Sequence, residues 1–280
     1  MGVKIRVDSL SFLYGTQSVF SNVSLAVEPG SFTGVVGPNG AGKTTLLKCL
    51  AGLLRPSSGR VRLGDDEVSS LSREAMARIV AVVPQDNQVR FDFTVEEFVM
   101  LGRLPHHQRV TRETRHDREV VARAITLTGM EAFACRSVVA LSGGERQRAA
   151  ISRALAQEPK VLLLDEPTSH LDIGHQVDVL DLVHGMCADQ GVTVVGVFHD
   201  LNLASMYCDQ IIMMADGTAR LHGTPRKVLT QRNVEAIYGD RVVVDQHPVC
   251  GVPLVVPVSG GAANRSALRQ ENSEREDMNA

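Results

Sequence analysis

The sequence predicts an α/β fold, a core with a parallel sheet, an antiparallel β flank and an inserted helical subdomain, and two apolar patterns lead to it. Residues 79–83, 161–164 and 192–198 are continuous apolar runs, as expected of parallel strands buried on both faces. Val3, Ile5 and Val7 instead alternate with Lys4, Arg6 and Asp8, and Leu25/Val27 and Val61/Leu63 repeat the pattern. Such alternation fits half-exposed antiparallel strands. Helical stretches at Lys43–Leu50, 145–157 and 176–187 lie between the buried runs, which is how α/β layers are built.

Residues 1–258 read as one domain, with the helical subdomain at about 87–158 inside it. Within that insert, Thr94 followed by Glu97 is a capping box ahead of Phe98, Val99 and Leu101. Thr224-Pro225 starts a further helix through Ile237, after which 242–244 and 254–258 resume strand character. Residues 259–280 hold hardly any large apolar side chain and read as a disordered tail. The net charge of −3, without a run of Lys and Arg, excludes a nucleic-acid partner. Five scattered cysteines without a CxxC pair indicate neither a disulfide framework nor a zinc site. No run reaches the length of about 20 apolar residues that spans a bilayer, and the first residues lack a signal-peptide core. A cytoplasmic protein is expected.

Gly37-Pro38-Asn39-Gly40-Ala41-Gly42-Lys43-Thr44 matches GxxxxGK[ST], after the apolar Val35-Val36 and before a helical run. Glycines let the backbone wrap a phosphate, and N–H groups at a helix start supply positive charge. Lys43 would reach the β- and γ-phosphates of ATP, and Thr44 would hold Mg²⁺ through its hydroxyl. Thr45 completes the loop. The run 161–164 ends in Asp165-Glu166, and buried carboxylates are costly unless paired or bound to metal. Beside a phosphate loop, Asp165 can bind Mg²⁺ while Glu166 orients or deprotonates the attacking water.

Leu141-Ser142-Gly143-Gly144-Glu145, about 20 residues before Asp165, resembles the signature of the ABC transporter nucleotide-binding domain. The remaining marks of that family stand in order: Tyr14, Gln85, Asp172 and His199. Singly each has a plainer reading, Tyr14 as strand filler, Gln85 and His199 as polar strand ends, Asp172 as a helix cap. Together they make the chain similar to that family from Val3 to about Val258. The resemblance implies an ATP hydrolase in which Tyr14 stacks on adenine, Glu166 is the catalytic base, Lys43 and His199 hold the γ-phosphate, and Gln85 links Mg²⁺ and water to a permease. It further implies that Ser142, Gly143 and Gly144 cap the nucleotide of a second copy, with Asp172 speaking across that homodimer. Glu145 stands where Gln is commoner, and no role attaches to it.

One nucleotide-binding domain without a membrane span resembles the separate ATPase subunit of an importer, peripheral on the inner face of the membrane and served indirectly by a substrate-binding protein. Soluble ABC proteins of ribosomes or chromosomes, the other class, carry tandem domains or long heptad coiled coils. Pro84-Gln85-Asp86, Phe93-Thr-Val-Glu-Glu, Leu101-Gly-Arg-Leu-Pro-His, His199-Asp-Leu-Asn-Leu-Ala and Pro248-Val-Cys-Gly-Val-Pro-Leu look like the group serving ferric siderophores, haem and cobalamin. The resemblance implies a ferric siderophore as cargo, with haem or cobalamin as alternatives. His106 and His107 read as solvated rather than as metal ligands. Residues 89–103 are expected to form the groove for a permease helix, with Arg103 in it, so that reversing its charge uncouples transport more than basal hydrolysis.

Overall fold

A computed structural model of the protein describes residues 2–85, 91–107, 113–169 and 171–259. The expected tail beyond Ser259 lies outside the described residues, as does the first part of the expected permease groove. Four strands form the antiparallel flank in the order β2-β1-β4-β5: β1 (Ile5–Tyr14), β2 (Gln17–Val27), β4 (Ser58–Leu63) and β5 (Asp66–Glu67). The alternation predicted for it is realised. Ile5 pairs with Val27 and Leu63, Val7 with Leu25 and Val61, and all six point inward.

The central sheet contains β3 (Phe32–Val36), β6 (Val80–Val83), β7 (Val161–Asp165), β8 (Thr193–Val197), β9 (Gln210–Ala215) and β10 (Thr218–Gly223), in the order β10-β9-β3-β8-β7-β6. All are parallel except β10, which folds back on β9. Every residue of β3, β7 and β8 is buried, because both faces are covered. Leu162 and Leu164 of β7 point into a core formed with helices, whereas Val161 and Leu163 point into one shared with the antiparallel flank. The sheet is thus the middle of three layers, and each buried Leu contributes about 1.5–3 kcal/mol.

Helix α1 (Lys43–Leu50) follows β3, and α2 (Arg73–Ile79) leads into β6. Between β6 and β7, α3 (Val95–Met100), α4 (Arg115–Leu127) and α5 (Gly143–Ala156) pack through Phe98, Val121, Ala150 and Ile151. Each starts in a two-way capping box: Thr94 with Glu97, Thr114 with Asp117 and Ser142 with Glu145. The helices α6 (Ile173–Gln190) and α7 (Leu201–Tyr207) flank β8. The helix expected from Thr224 to Ile237 is two, α8 (Pro225–Val228) and α9 (Gln231–Tyr238). Leu229 between them leaves helical geometry at ψ 58°, and the Thr230 hydroxyl starts α9 by accepting from the Asn233 N–H. A β-hydroxyl that can cap the next helix competes with continuing the first. The ribbon of β11 (Val242–Gln246) and β12 (Pro253–Pro257) closes the chain against α7.

The order β3-β8-β7-β6 decides where chemistry occurs. Four parallel strands end at one edge, and there lie the glycine loop after β3, His199 after β8, Asp165-Glu166 at the end of β7 and Gln85 after β6. Ligands of open α/β sheets bind outside this carboxyl edge.

Candidate active site

The loop after β3 wraps tightly because glycine permits it. Gly37 has φ 143°, and a Cβ there would lie 2.0 Å from the Met214 carbonyl oxygen; Gly42, at φ 91°, caps α1. The loop turns back on Lys43, whose ammonium is buried and donates to the carbonyls of Gly37 and Pro38 at 2.8 and 3.0 Å. Burial lowers its pKa, while Glu166 and Asp165 pull it up. A cation so placed gains by meeting a polyanion.

The Thr44 hydroxyl donates to Asp165 Oδ1 at 2.9 Å. Burial pushes the Asp165 carboxyl up, against the pull of that hydroxyl, and neighbouring Glu166 adds to the rise. Glu166 has φ 52°, the left-handed region that a residue with a side chain rarely occupies. That turn carries its carboxylate off the strand direction. One oxygen accepts from Gln85 Nε2 at 2.6 Å and the other meets His199 Nε2. Two adjacent carboxylates therefore have different company, Asp165 a hydroxyl and Glu166 an amide and an imidazole.

Asn39, Gly40, Gly42, Lys43, Thr44, Thr45, Glu166 and His199 line one open cleft. Asp165 joins it through Thr44, and Gln85 through Glu166. Val19 is a lining residue without any sequence signal. Tyr14 is outside that lining, 53% exposed at the end of β1, with its ring edge-on to Phe12. Ser142, Gly143, Gly144 and Asp172 are also outside it, at the starts of α5 and α6.

Glu145 has a use after all. Its carboxylate accepts from the Ser142 N–H at 2.7 Å while the Ser142 hydroxyl accepts from the Glu145 N–H. The Ser142 N–H bond is the main cause that holds the Glu145 pKa down. The spacing Ser-x-x-Glu was the available signal.

Thr44, Asp165 and the Gln85 amide are a hard oxygen set of the kind Mg²⁺ takes. No group of three or more His, Cys, Asp or Glu side chains gathers as a metal cage among the described residues. Mg²⁺ ordinarily completes its shell with water and substrate phosphates, so these few donors fit it.

Arg103 is not an exposed groove residue. It is 2% exposed, with Nε donating to Asp117 at 3.0 Å and Nη1 to the Ala156 carbonyl and Glu158, both at 2.7 Å. The Asp117 carboxylate, buried by its capping of α4, requires a cation beside it. Nor are His106 and His107 simply solvated: both are half-buried, on the Gln157 carbonyl and Asp117 at 2.9 and 3.0 Å.

A loop shaped for a phosphate chain, with a carboxylate pair two strands away, defines the class of a phosphate-loop ATPase. The family model described as ABC transporter matches residues 20–169. The chain belongs to the ABC transporter family, and its cassette binds ATP. It is 45% identical over 246 residues to a cobalamin import ATP-binding protein of Halobacterium salinarum, covering 88% of this chain but only 61% of that protein's length. The ferric enterobactin transport ATP-binding protein of Escherichia coli K12 is 40% identical over 255 residues, 91% of this chain and 94% of its own. A hemin import ATP-binding protein of Pseudomonas aeruginosa is 44% identical over 257 residues, 90% and 99% of the two chains. Among solved structures, an inward-facing metal-chelate type ABC transporter superposes with TM-score 0.81 at 29% identity, over 92% of this chain and 98% of that one. A dimeric ATP-binding cassette bound to ADP and Pi gives TM-score 0.69 at 28% identity, over 79% and 98%.

Proposed function

We propose that the chain hydrolyses ATP to drive uptake of an iron chelate, a ferric siderophore, as the cytoplasmic ATPase subunit of an ABC importer. The observation that carries the hydrolysis is the Gln85–Glu166–His199 hydrogen-bonded group facing Lys43 across one cleft. Glu166 takes a proton from a water whose oxygen attacks the γ-phosphorus, as the bond to the bridging oxygen of ADP breaks and phosphate leaves. Lys43 and the loop N–H groups hold the phosphate oxygens, where charge is spread in the transition state. His199 holds the γ-phosphate, and Gln85 orients the water. Thr44, Asp165 and Gln85 would hold Mg²⁺, which would supply charge neutralisation to the phosphates. Tyr14 stacks on the adenine.

In this reading two copies sandwich two ATP molecules, each copy offering Ser142, Gly143 and Gly144 to the other's γ-phosphate and Asp172 to the other's loops. A helix start contributes about 0.3–1 kcal/mol toward an anion and each bond to a charged group about 1.5–3. Several kcal/mol of dimer stability then depend on the γ-phosphate. The dimeric cassette with ADP and Pi supports this arrangement.

Transmembrane permease subunits are the second partner. An open groove lies between the end of α1, α2 and β6, lined by Leu53, Val68, Leu71, Met76 and Val82 with Arg73 among them. Leu53 is 66% exposed there, and β6 ends two residues before Gln85, so an apolar permease helix seated in it would reach the water-orienting amide. No helix among the described residues is long and apolar enough to cross a membrane; in this reading the chain sits on the inner membrane face beside a permease and its substrate-binding protein. The metal-chelate transporter and the enterobactin relative support iron-chelate cargo. Hemin and cobalamin relatives at 44 and 45% identity favour the second reading, haem or cobalamin.

The test is ATP hydrolysis by the chain reconstituted with its permease and with binding protein carrying ferric siderophore, haem or cobalamin in turn. Stimulation by ferric siderophore alone is expected. Stimulation by another cargo replaces it, and healthy basal hydrolysis deaf to all three rejects the importer group.

A further inference from the structure

His175 on α6 touches both of the elements that the sandwich reading sends to the partner copy. Asp172 caps α6, and its Oδ1 accepts from the His175 N–H at 2.9 Å and meets His175 Nδ1 at 2.8 Å. The imidazole is thereby held beside the start of α5. A Cβ built on Gly144 would lie 2.7 Å from His175 Cδ2 and 2.8 Å from Cγ, so the ring occupies the space a side chain at 144 would need. The capping box engages the N–H groups of Ser142 and Glu145. Those of Gly143 and Gly144 are the first-turn donors without an intrahelical partner, and the His175 ring fills the Cβ side of the second of these glycines.

The start of α6 is also tied to the backbone behind the hydrolytic Glu166. Ser169 donates through both its N–H and its hydroxyl to the Glu166 carbonyl, at 3.1 and 2.9 Å. Gln176, next to His175, donates to the Thr168 and Leu171 carbonyls at 3.3 and 3.1 Å. Arg148 of α5 faces Asp178 of α6 at 3.6 Å. The start of α6 is therefore tied to the segment behind Glu166 on one side and to the start of α5 on the other. A rigid, hydrogen-bonded connection of this kind passes displacement between sites when its ends have two arrangements.

We propose that His175 is a positioning residue that couples the two ATP sites: the Asp172-held imidazole sets the pose of the Gly143-Gly144 donors, so that the state of one chain's Glu166 segment is felt at the other chain's γ-phosphate. The inference rests on the sandwich reading. Gly144 has an ordinary φ, so alanine there is strained only through its neighbour.

The experiment measures ATP-induced dimerisation by light scattering on a Glu166→Gln parent, and the Hill coefficient of hydrolysis on the otherwise unaltered chain. His175→Ala should raise the ATP concentration for half-dimerisation about tenfold and bring the Hill coefficient toward about 1, with binding of a fluorescent ATP analogue by the monomer within about twofold of the parent. His175→Asn, which keeps a polar atom near the Nδ1 position, should recover most of both. Gly144→Ala should dimerise poorly, and Gly144→Ala/His175→Ala better than Gly144→Ala alone, since the clash goes with the ring. A dimerising parent beside an unchanged His175→Ala, or a double variant no better than Gly144→Ala, overturns the inference alone. A parent that stays monomeric with ATP overturns the sandwich reading and the inference with it.

Discussion

The cleft at the sheet edge and the ion cluster around Arg103 each bury a cation and a carboxylate, and they treat them in opposite ways. Asp117 is pushed up by burial, but bonds from the Thr114 hydroxyl and N–H, Arg103 and His107 outweigh this and hold its carboxyl well below the usual range. Arg103 in turn has three partners. Asp165 has a single hydroxyl and stays raised, and Lys43 has carbonyls in place of a carboxylate and stays lowered. Satisfied charges staple the segment 101–107, α4 and the end of α5 together. Under-satisfied charges at the cleft are kept for a ligand that brings phosphate and metal.

Breaking the cleft should have the largest effect on rate. Glu166→Gln removes the proton acceptor while keeping shape, and hydrolysis should fall by about 10²–10⁴-fold, the usual worth of general base catalysis. ATP binding should persist and a stable dimer accumulate on gel filtration. Rapid turnover by this variant, without a dimer, would remove Glu166 from its role.

Breaking the cluster should have the largest effect on stability. Arg103→Met leaves Asp117 buried without its guanidinium and should cost about 3–5 kcal/mol in urea denaturation. Lys43→Met, at a charge the fold does not pair, should cost under about 1 kcal/mol while abolishing ATP binding. Equal losses from the two substitutions would erase the distinction between the regions.

How legible these regions were differs for the same reason. Residues of the cleft sit at strand ends in short motifs, and α1 and the Thr94–Glu97 cap were readable because glycine, hydroxyl and carboxylate act on backbone within a turn. Arg103 was misread because its partners are 14, 53 and 55 residues away, and nothing local distinguishes a buried Arg from a surface one. The hairpin of β9 and β10 had a usable signal that went unread: Asp216-Gly217 takes φ 48° and 66°, as Asp-Gly does in a tight hairpin turn. His175 lies one turn beyond a readable cap at Asp172, but its contact with Gly144 exists only once α5 and α6 have packed.

The permease groove gives a smaller and more selective effect. Leu53→Glu puts a charge on a surface that the fold leaves 66% exposed, so stability should shift by less than about 0.5 kcal/mol. Cargo-stimulated hydrolysis in proteoliposomes should fall about tenfold, for roughly 1.4 kcal/mol of docking energy lost, with basal hydrolysis intact. Equal loss of both would move the docking surface elsewhere.

The smallest effect sharpens the comparison most, because it has the opposite sign to intuition. The Asp165 pKa is raised on folding, chiefly by burial, so the native state holds its proton to higher pH than the unfolded chain does. Stability associated with that group is fully present below the unfolded value of 3.8 and is lost as pH rises through the raised native value. Above that native value the ionised Asp165 is then a net cost to folding. Asp165→Asn should stabilise the apo protein by about 1 kcal/mol at pH 7, as removal of an under-satisfied functional charge does elsewhere, and the gain should shrink toward pH 4. Mg²⁺-dependent ATPase activity should be lost in the same variant. Asp117→Asn, whose native carboxyl is held down, should destabilise at pH 7. If Asp165→Asn also destabilised at pH 7, the carboxylate at the cleft would be as well satisfied as the one in the cluster, and the division of labour between the two regions would fail.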